Sequence, residues 1–336
     1  MSPETKKRLT LAAKALLVVG ILSYLFYDIG KDGKLAELIQ SPKQWSWVSI
    51  GLVACVAAHL FGFVRWQLMV RALGLPFSVL DSIRIGLIGL FFGLFAFGVV
   101  GGDTLRAFYV TREVKNRTPE AITSVLADRL IGILTMFMIA SVAFCFFDPT
   151  AVGDSAKLSG IRFLGWFVVT CTLLGIAGLV FLYFLPYLMG MRLVRRILEI
   201  PKVGDLIKRL VDVLSLYRCR LGTIAIAFLL SVGVNVCFAI SIYSLAVGLT
   251  SGNPGFLDHF IIEPIAMVSN AIPVPGGIGT MEMAMKYLYL AFGSENGVII
   301  GFAYRFALLS VSALGALVWF WNKDQVEKLT TETVAV

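Results

Sequence analysis

Residues 221–249 read LGTIAIAFLLSVGVNVCFAISIYSLAVGL and carry no charged side chain from end to end. At about 1.5 Å of rise per residue, an α-helix of that length more than crosses the ~30 Å hydrocarbon core of a bilayer, and its backbone needs no partner outside itself. Further apolar segments flank it near 9–29, 46–66, 84–100, 121–147, 162–185, 259–275, 278–292 and 297–321. Hydrophobic residues make up 58% of the 336-residue chain and charged ones only 15%, too little polarity to cover such segments in water. An outer-membrane barrel would alternate in polarity over roughly ten-residue strands, whereas these segments are continuously apolar. The expected fold is an all-α polytopic membrane protein, a single membrane domain over 1–336.

The formal charge of +8 raises the question of nucleic acid. Lysine and arginine sit in short loops beside the apolar segments instead of forming one stripe, so topology and anionic headgroups account for them and no nucleic-acid partner is expected. Cys55, Cys145, Cys171, Cys219 and Cys237 are scattered in or next to apolar runs, without CxxC and with almost no histidine, so neither a metal nor a cofactor is expected. Lys6, Lys7 and Arg8 precede an apolar run that lacks a small-x-small cleavage site before Asp28, which reads as a retained first helix. Between 186 and 220, Arg192, Arg195, Arg196, Lys202, Lys208, Arg209, Arg218 and Arg220 interleave with Leu, Ile and Val, as in an amphipathic helix lying on an anionic membrane face.

Placing lysine and arginine inside sets the orientation. Lys6, Lys7 and Arg8 put the N-terminus in the cytoplasm, 46–66 returns Arg65 and Arg71 there, and the loop with Arg112, Lys115 and Arg117 must be cytoplasmic too. The stretch 84–117 therefore starts and ends inside, as a pair of crossings or a re-entrant hairpin broken at Gly101-Gly102, and its short arms favour the hairpin. Segments 121–147, 162–185, 221–249 and 297–321 then alternate, and Lys323 and Lys328 end inside.

Residues 46–147 resemble 221–321. Ala72, Gly74 and Leu75 match Ala246, Gly248 and Leu249 at an offset of 174; Leu80-Asp81 matches Leu257-Asp258 at 177. Val99, Gly101 and Gly102 match Val274, Gly276 and Gly277 at 175, and Ala127 and Arg129 match Ala303 and Arg305 at 176. The intervening crossings make the second unit inverted, and its loops 250–258 and 293–297 contain no lysine or arginine, as inversion requires. Inverted repeats with broken helices suit alternating access.

The breaks hold the sharpest motifs: Gly101-Gly102-Asp103-Thr104-Leu105-Arg106, and Pro273-Val274-Pro275-Gly276-Gly277-Ile278-Gly279-Thr280-Met281-Glu282. Proline removes backbone donors, paired glycine permits reversal, and a helix restarting there turns its positive end toward an anion; the alternative is that the glycines serve turning and close packing alone. Asp103, Arg106, Asp128, Arg129, Glu263, Glu282, Lys286 and Arg305 fall within or beside membrane segments, where each costs on the order of 2.5–3.5 kcal/mol at the bilayer centre. Arg129 and Arg305 each lie about nine residues into their segments, so at about 1.5 Å per residue they approach the middle from opposite faces. A purely structural account pairs Asp128 with Arg129 and Glu282 with Lys286. Glu263, before Pro264, is a candidate for proton coupling. His59 reads as a packing residue, His259 as interfacial, and Trp45, Trp47, Trp66, Trp319 and Trp321 as headgroup-level anchors. No Ser–His–Asp arrangement, HExxH, P-loop or GxGxxG after a strand is present in the sequence, which argues against an enzyme.

In the Pro273–Glu282 string, in Gly102 to Arg106, in the following Asp128-Arg129-Leu130 and in overall layout, the chain resembles the lysylphosphatidylglycerol synthase transmembrane region family, also called the flippase-like domain family. The resemblance spans about 9–321, and Val99-Val100 stands where the first motif often has a proline. In that family the membrane domain of the multiple-peptide-resistance protein is associated with flipping aminoacylated phosphatidylglycerol, and other members accompany glycosyltransferases or isoprenoid-linked pathways. Only 322–336 follow the last apolar segment, so the synthase's soluble aminoacyltransferase domain, and lysyl-lipid synthesis with it, are not expected.

The expected protein is a transporter of the inner (cytoplasmic) membrane with both termini cytoplasmic. Its parts are an N-terminal helix (9–29), a first repeat (46–147), a linking helix with the basic amphipathic segment (162–220) and an inverted second repeat (221–321), giving six full crossings and two hairpins. Gly101, Gly102, Asp103, Pro275, Gly276 and Gly277 at the hairpin tips bind a lipid headgroup, and Arg106, Arg129 and Arg305 neutralise its phosphate. Asp128 and Glu282 complete the set, and Glu263 and Glu282 couple transport to protons or accept a cationic headgroup. Membrane lipids are the expected ligands. Two alternatives stand beside this: an accessory subunit that recruits a glycosyltransferase or lipid synthase through 186–220, and a membrane-embedded lipid-modifying enzyme using Glu282 or Asp103.

Overall fold

The computed structural model describes residues 42–93, 98–113, 118–147, 155–188, 220–270 and 279–321, with isolated positions between them. Regular structure among the described residues is helical: α1 (Trp45–Ala72), α2 (Val79–Phe92), α3 (Gly98–Glu113), α4 (Thr118–Cys145), α5 (Ser155–Leu188), α6 (Leu221–Leu249), α7 (His259–Ser269), α8 (Thr280–Ala291) and α9 (Gly297–Trp321). Among the described residues, five helical stretches are long and apolar enough to cross a membrane: α1, Glu120–Cys145 of α4, Leu158–Phe181 of α5, α6 and α9. The protein is a multi-pass membrane protein. By contrast α2, α3, α7 and α8 have 14, 16, 11 and 12 residues. At about 1.5 Å each they extend only about 16–24 Å, short of the ~30 Å core.

Local chemistry sets where the short helices begin. Ser78 starts α2 with a capping box: its hydroxyl accepts the Asp81 N–H at 3.1 Å, and the Asp81 carboxylate accepts the Ser78 N–H at 3.1 Å. Before α8, Gly279 stands at φ 90°, a left-handed conformation that glycine adopts without a Cβ penalty, and its N–H donates to Glu282 Oε2 at 2.8 Å.

The most extensive packing is between α1 and α6. Small residues let the two backbones approach: the Ser241 hydroxyl donates to the Gly51 carbonyl at 2.7 Å, and the Gln44 N–H donates to the Gly248 carbonyl at 3.0 Å. Around this pair, α2 lies on α9 and α7 on α4; α3 lies on α4 and α8 on α9; α2 meets α3 and α7 meets α8. The contacts α1–α2, α1–α4 and α1–α9 likewise have counterparts in α6–α7, α6–α9 and α6–α4. Exchanging α1–α4 for α6–α9 thus reproduces the packing scheme, and α5 stands outside it against α4 and α8.

Several expectations need correcting. Gly101 and Gly102 lie inside α3 and are not the break; α2 ends at Phe92, α3 begins at Gly98, and 94–97 fall outside the described residues. A Cβ on Gly102 would sit 2.5 Å from the Gly89 carbonyl oxygen, so this glycine buys backbone contact between α3 and α2. Trp66 is no headgroup anchor: it is 1% exposed, edge-to-face with Phe77 at 5.2 Å, whereas Trp45 and Trp321 are exposed. His259 is buried within the protein, with Nε2 2.8 Å from the Tyr289 hydroxyl. Most of 9–29 and of 186–220 lies outside the described residues. Leu25 packs on Val298, and Lys286 donates to the Tyr24 hydroxyl at 3.0 Å.

Gly102→Ala is therefore expected to lower the thermal midpoint in detergent, at a cost of about 1–3 kcal/mol from overpacking. Gly222→Ala in α6, where a Cβ meets nothing within 4 Å, is expected to leave the midpoint unchanged or raise it.

Candidate functional site

Among the described residues, seven helices, α1 to α4, α6, α7 and α9, line a partly open cavity of about 260 Å³. Its wall holds Arg65, Asp103, Arg106, Asp128, Arg129 and Arg305, with the polar side chains His59, Asn270 and Ser312. Phe63, Leu90, Phe238, Met267 and Leu308 supply the apolar part, and Gly62, Gly89, Gly93 and Gly102 widen it.

Three ion-pair groups organise these charges. Arg65 of α1 donates to Asp128 of α4 through Nε at 2.7 Å and through its second nitrogen at 3.0 Å, and its remaining amine donates to Ser231 of α6. That bidentate contact joins three helices, and Gly132, one turn on from Asp128, leaves room for the guanidinium. Arg305 of α9 donates to Glu282 of α8 at 2.7 and 3.2 Å and to the Asn270 carbonyl oxygen at 3.1 Å, while Glu282 also holds the Gly279 N–H. The third group is less closed. Arg129 of α4 donates to Asp103 of α3, and Arg106, one turn along α3, approaches the same carboxylate at 3.9 Å. Arg106 lies over the rings of Phe63 at 5.7 Å and Trp66 at 5.6 Å. The Arg129 side chain is 39% exposed, and its Nε has no partner among the described residues.

Arg129 and Arg305, the matched arginines of the two halves, thus each meet an acid on the short helix preceding them. The acids are not matched. At the offset of 176 that relates the two arginines, Glu282 corresponds to Arg106 and Asp103 to Gly279. The internal pairs Asp128 with Arg129 and Glu282 with Lys286 give way to Asp128 with Arg65 and Glu282 with Arg305, because carboxylate and guanidinium meet fork to fork across helices.

Such a cavity presents guanidinium N–H groups to an anion inside a membrane domain. Over residues 11–317 the chain matches the family described as lysylphosphatidylglycerol synthase TM region. The chain belongs to this family. No curated protein matches it.

As a member of that family, the chain brings together most of the residues that its sequence singles out: Gly102, Asp103, Arg106, Asp128, Arg129 and Arg305 line one cavity, with Glu282 directly behind Arg305. Gly101 lies in α3 beside them. Pro275, Gly276 and Gly277 lie outside the described residues. Glu263 is buried on α7 but does not line the cavity; it lies within electrostatic reach of Tyr304, whose hydroxyl has no partner among the described residues. Arg65 is the main omission. Assigned to a cytoplasmic loop, it is 7% exposed within α1. The signal was present: Trp66, Leu68, Met69 and Val70 continue the apolar run beyond it to Ala72. Asn270, Ser231 and Ser312 carried no signal, since isolated polar residues on apolar helices are common.

Asp128→Ala or Arg65→Ala alone leaves its partner buried and uncompensated, and is expected to cost about 3–5 kcal/mol. The double change Arg65→Met/Asp128→Leu is expected to cost less than either, and a double-mutant cycle of thermal midpoints in detergent checks this.

Proposed function

We propose that this protein is a lipid transporter of the cell membrane rather than an enzyme, moving an anionic, aminoacylated or isoprenoid-linked lipid between leaflets by alternating access. The observation that carries this reading is the cavity itself, in which four guanidiniums from four helices face one space inside a membrane domain. Such charges are expensive in lipid and mark ligand pathways when they face an internal space. Family membership supports the same reading, since the family is defined by the membrane region of a lipid synthase.

The halves 46–147 and 221–321 act as inverted repeats. The exchange of α1–α4 for α6–α9 in the packing scheme and the sequence offsets of 174–177 support this. In this proposal α2 with α3, and α7 with α8, are re-entrant hairpins, which their short lengths favour, and both termini are cytoplasmic. The headgroup enters the cavity while its tails stay in lipid, and the two halves then exchange conformations to open the opposite side. Arg106, Arg129 and Arg305 neutralise the phosphate, and Gly101, Gly102, Pro275, Gly276 and Gly277 contribute to headgroup binding. Asp103 and Asp128 orient the guanidiniums. Glu282 is committed to Arg305 and Gly279, which leaves Glu263 the better placed of the two for proton coupling.

The test uses purified protein in proteoliposomes with fluorescent lipids, scoring the headgroups accessible from outside. Wild type is expected to equilibrate one lipid class between leaflets, and Arg129→Ala/Arg305→Ala to slow it at least tenfold while still folding. Transport that survives the double change sinks the mechanism; no translocation of any lipid favours the accessory subunit for a glycosyltransferase or lipid synthase, recruited through 186–220. With an imposed proton gradient, Glu263→Gln is expected to abolish gradient-driven accumulation and leave exchange at equilibrium intact.

A further inference from the structure

The charges around the cavity do not cancel, and the remainder sits in one place. Arg65 is matched by Asp128, and Arg305 by Glu282, each through two hydrogen bonds. Arg106 and Arg129 share the single carboxylate of Asp103. Counting histidine neutral, the described wall and the Glu282 behind it therefore keep one surplus positive charge, between α3 and α4. The same corner carries an unmet donor, Arg129 Nε. A second polar atom in the wall, the hydroxyl of Ser312 on α9, is also without a partner among the described residues, on a side chain 2% exposed.

An uncompensated charge between apolar walls is costly, so the ligand that settles best is the one that restores neutrality. We propose that the cavity selects a lipid headgroup of one net negative charge, a monoanionic phosphodiester, with its phosphate seated between Arg106 and Arg129. This rests on the lipid-transport reading above and narrows it. A phosphodiester brings one charge and two non-bridging oxygens, enough to take Arg129 Nε–H and an N–H of Arg106. A phosphomonoester carries about −1.5 to −2 at neutral pH and leaves negative charge unmatched, as does a diphosphate. A lysylated phosphodiester brings a net positive charge to a site that already has a surplus. The volume of about 260 Å³ equals roughly nine waters of liquid, on the scale of a lipid headgroup.

The second half shows how the surplus arises. At the offset of 176 that relates Arg129 to Arg305, Arg106 falls at the position of Glu282, so one half closes its arginine with an acid and the other adds a second cation. Asp103 is thus a specificity residue: its charge sets how much anion the site requires.

Two measurements test this on the full chain, with acyl chains matched throughout. Equilibrium binding in detergent and flux in proteoliposomes are compared for phosphatidylglycerol, phosphatidic acid, phosphatidylethanolamine and lysyl-phosphatidylglycerol. Phosphatidylglycerol is expected to bind at least tenfold more tightly than the other three. Asp103→Asn raises the surplus to two, and the ratio of phosphatidic acid to phosphatidylglycerol binding is expected to rise at least tenfold, while Asp103→Glu keeps the wild-type order. Equal binding of all four lipids, tightest binding of the lysylated one, or an Asp103→Asn protein that folds and keeps the wild-type ratio overturns the proposal. Selective binding of phosphatidylglycerol without flux of any lipid upholds the proposal and brings down the transport reading instead.

Discussion

A guanidinium inside a membrane domain has no water to fall back on, so its position is decided by where a carboxylate can meet it. Arg65 and Asp128 show the constraint at its strongest, for their bidentate contact and the Ser231 hydroxyl bind α1, α4 and α6 into one unit. Were either charge to face lipid, each would cost on the order of 2.5–3.5 kcal/mol near the bilayer centre. Apolar packing alone does not fix which helices adjoin in lipid, because the tails are as greasy as leucine. The charge pairs do. Arg305 with Glu282 ties α9 to α8, Asn270 adds α7, and Asp103 brings α3 to α4. Glycine and serine then allow the remaining seams to close, as where Gly315 faces the Leu87 carbonyl of α2.

How much of this was legible follows from what each signal measures. Long uncharged runs report burial in lipid directly, and Gly297–Trp321 coincides with the segment read from hydropathy. Short helices were harder, since the apolar run begins only at 84 and the start of α2 at Val79 is marked by nothing but Ser78 and Asp81, a capping box. The Gly101-Gly102 pair misled because glycine serves reversal and close approach alike, and only the carbonyl of Gly89 shows that approach is its role. Trp66 misled for a related reason: tryptophan at an apparent segment end is an anchor only if the helix ends there, and α1 runs on to Ala72.

The site was legible in its membership and illegible in its pairing. Charged residues inside apolar segments are rare enough to stand out singly. Which acid meets which arginine depends on helix neighbours far apart in sequence, and local spacing favoured Asp128 with Arg129 and Glu282 with Lys286. Asp103 and Glu282 lie on short helices that place them against α4 and α9, a relation that no run of hydropathy records.

The two matched arginines are held unequally. Arg305 is enclosed by Glu282 and Asn270, whereas Arg129 keeps one nitrogen without a partner among the described residues and a partly open side chain. If the halves trade conformations during a cycle, the two end states are not mirror images in energy, because a closed pair must open on one side and a loose pair tighten on the other. Such a device behaves as a rectifier: with no gradient applied, it rests with its cavity turned toward one leaflet, and loading from that side begins without a prior rearrangement.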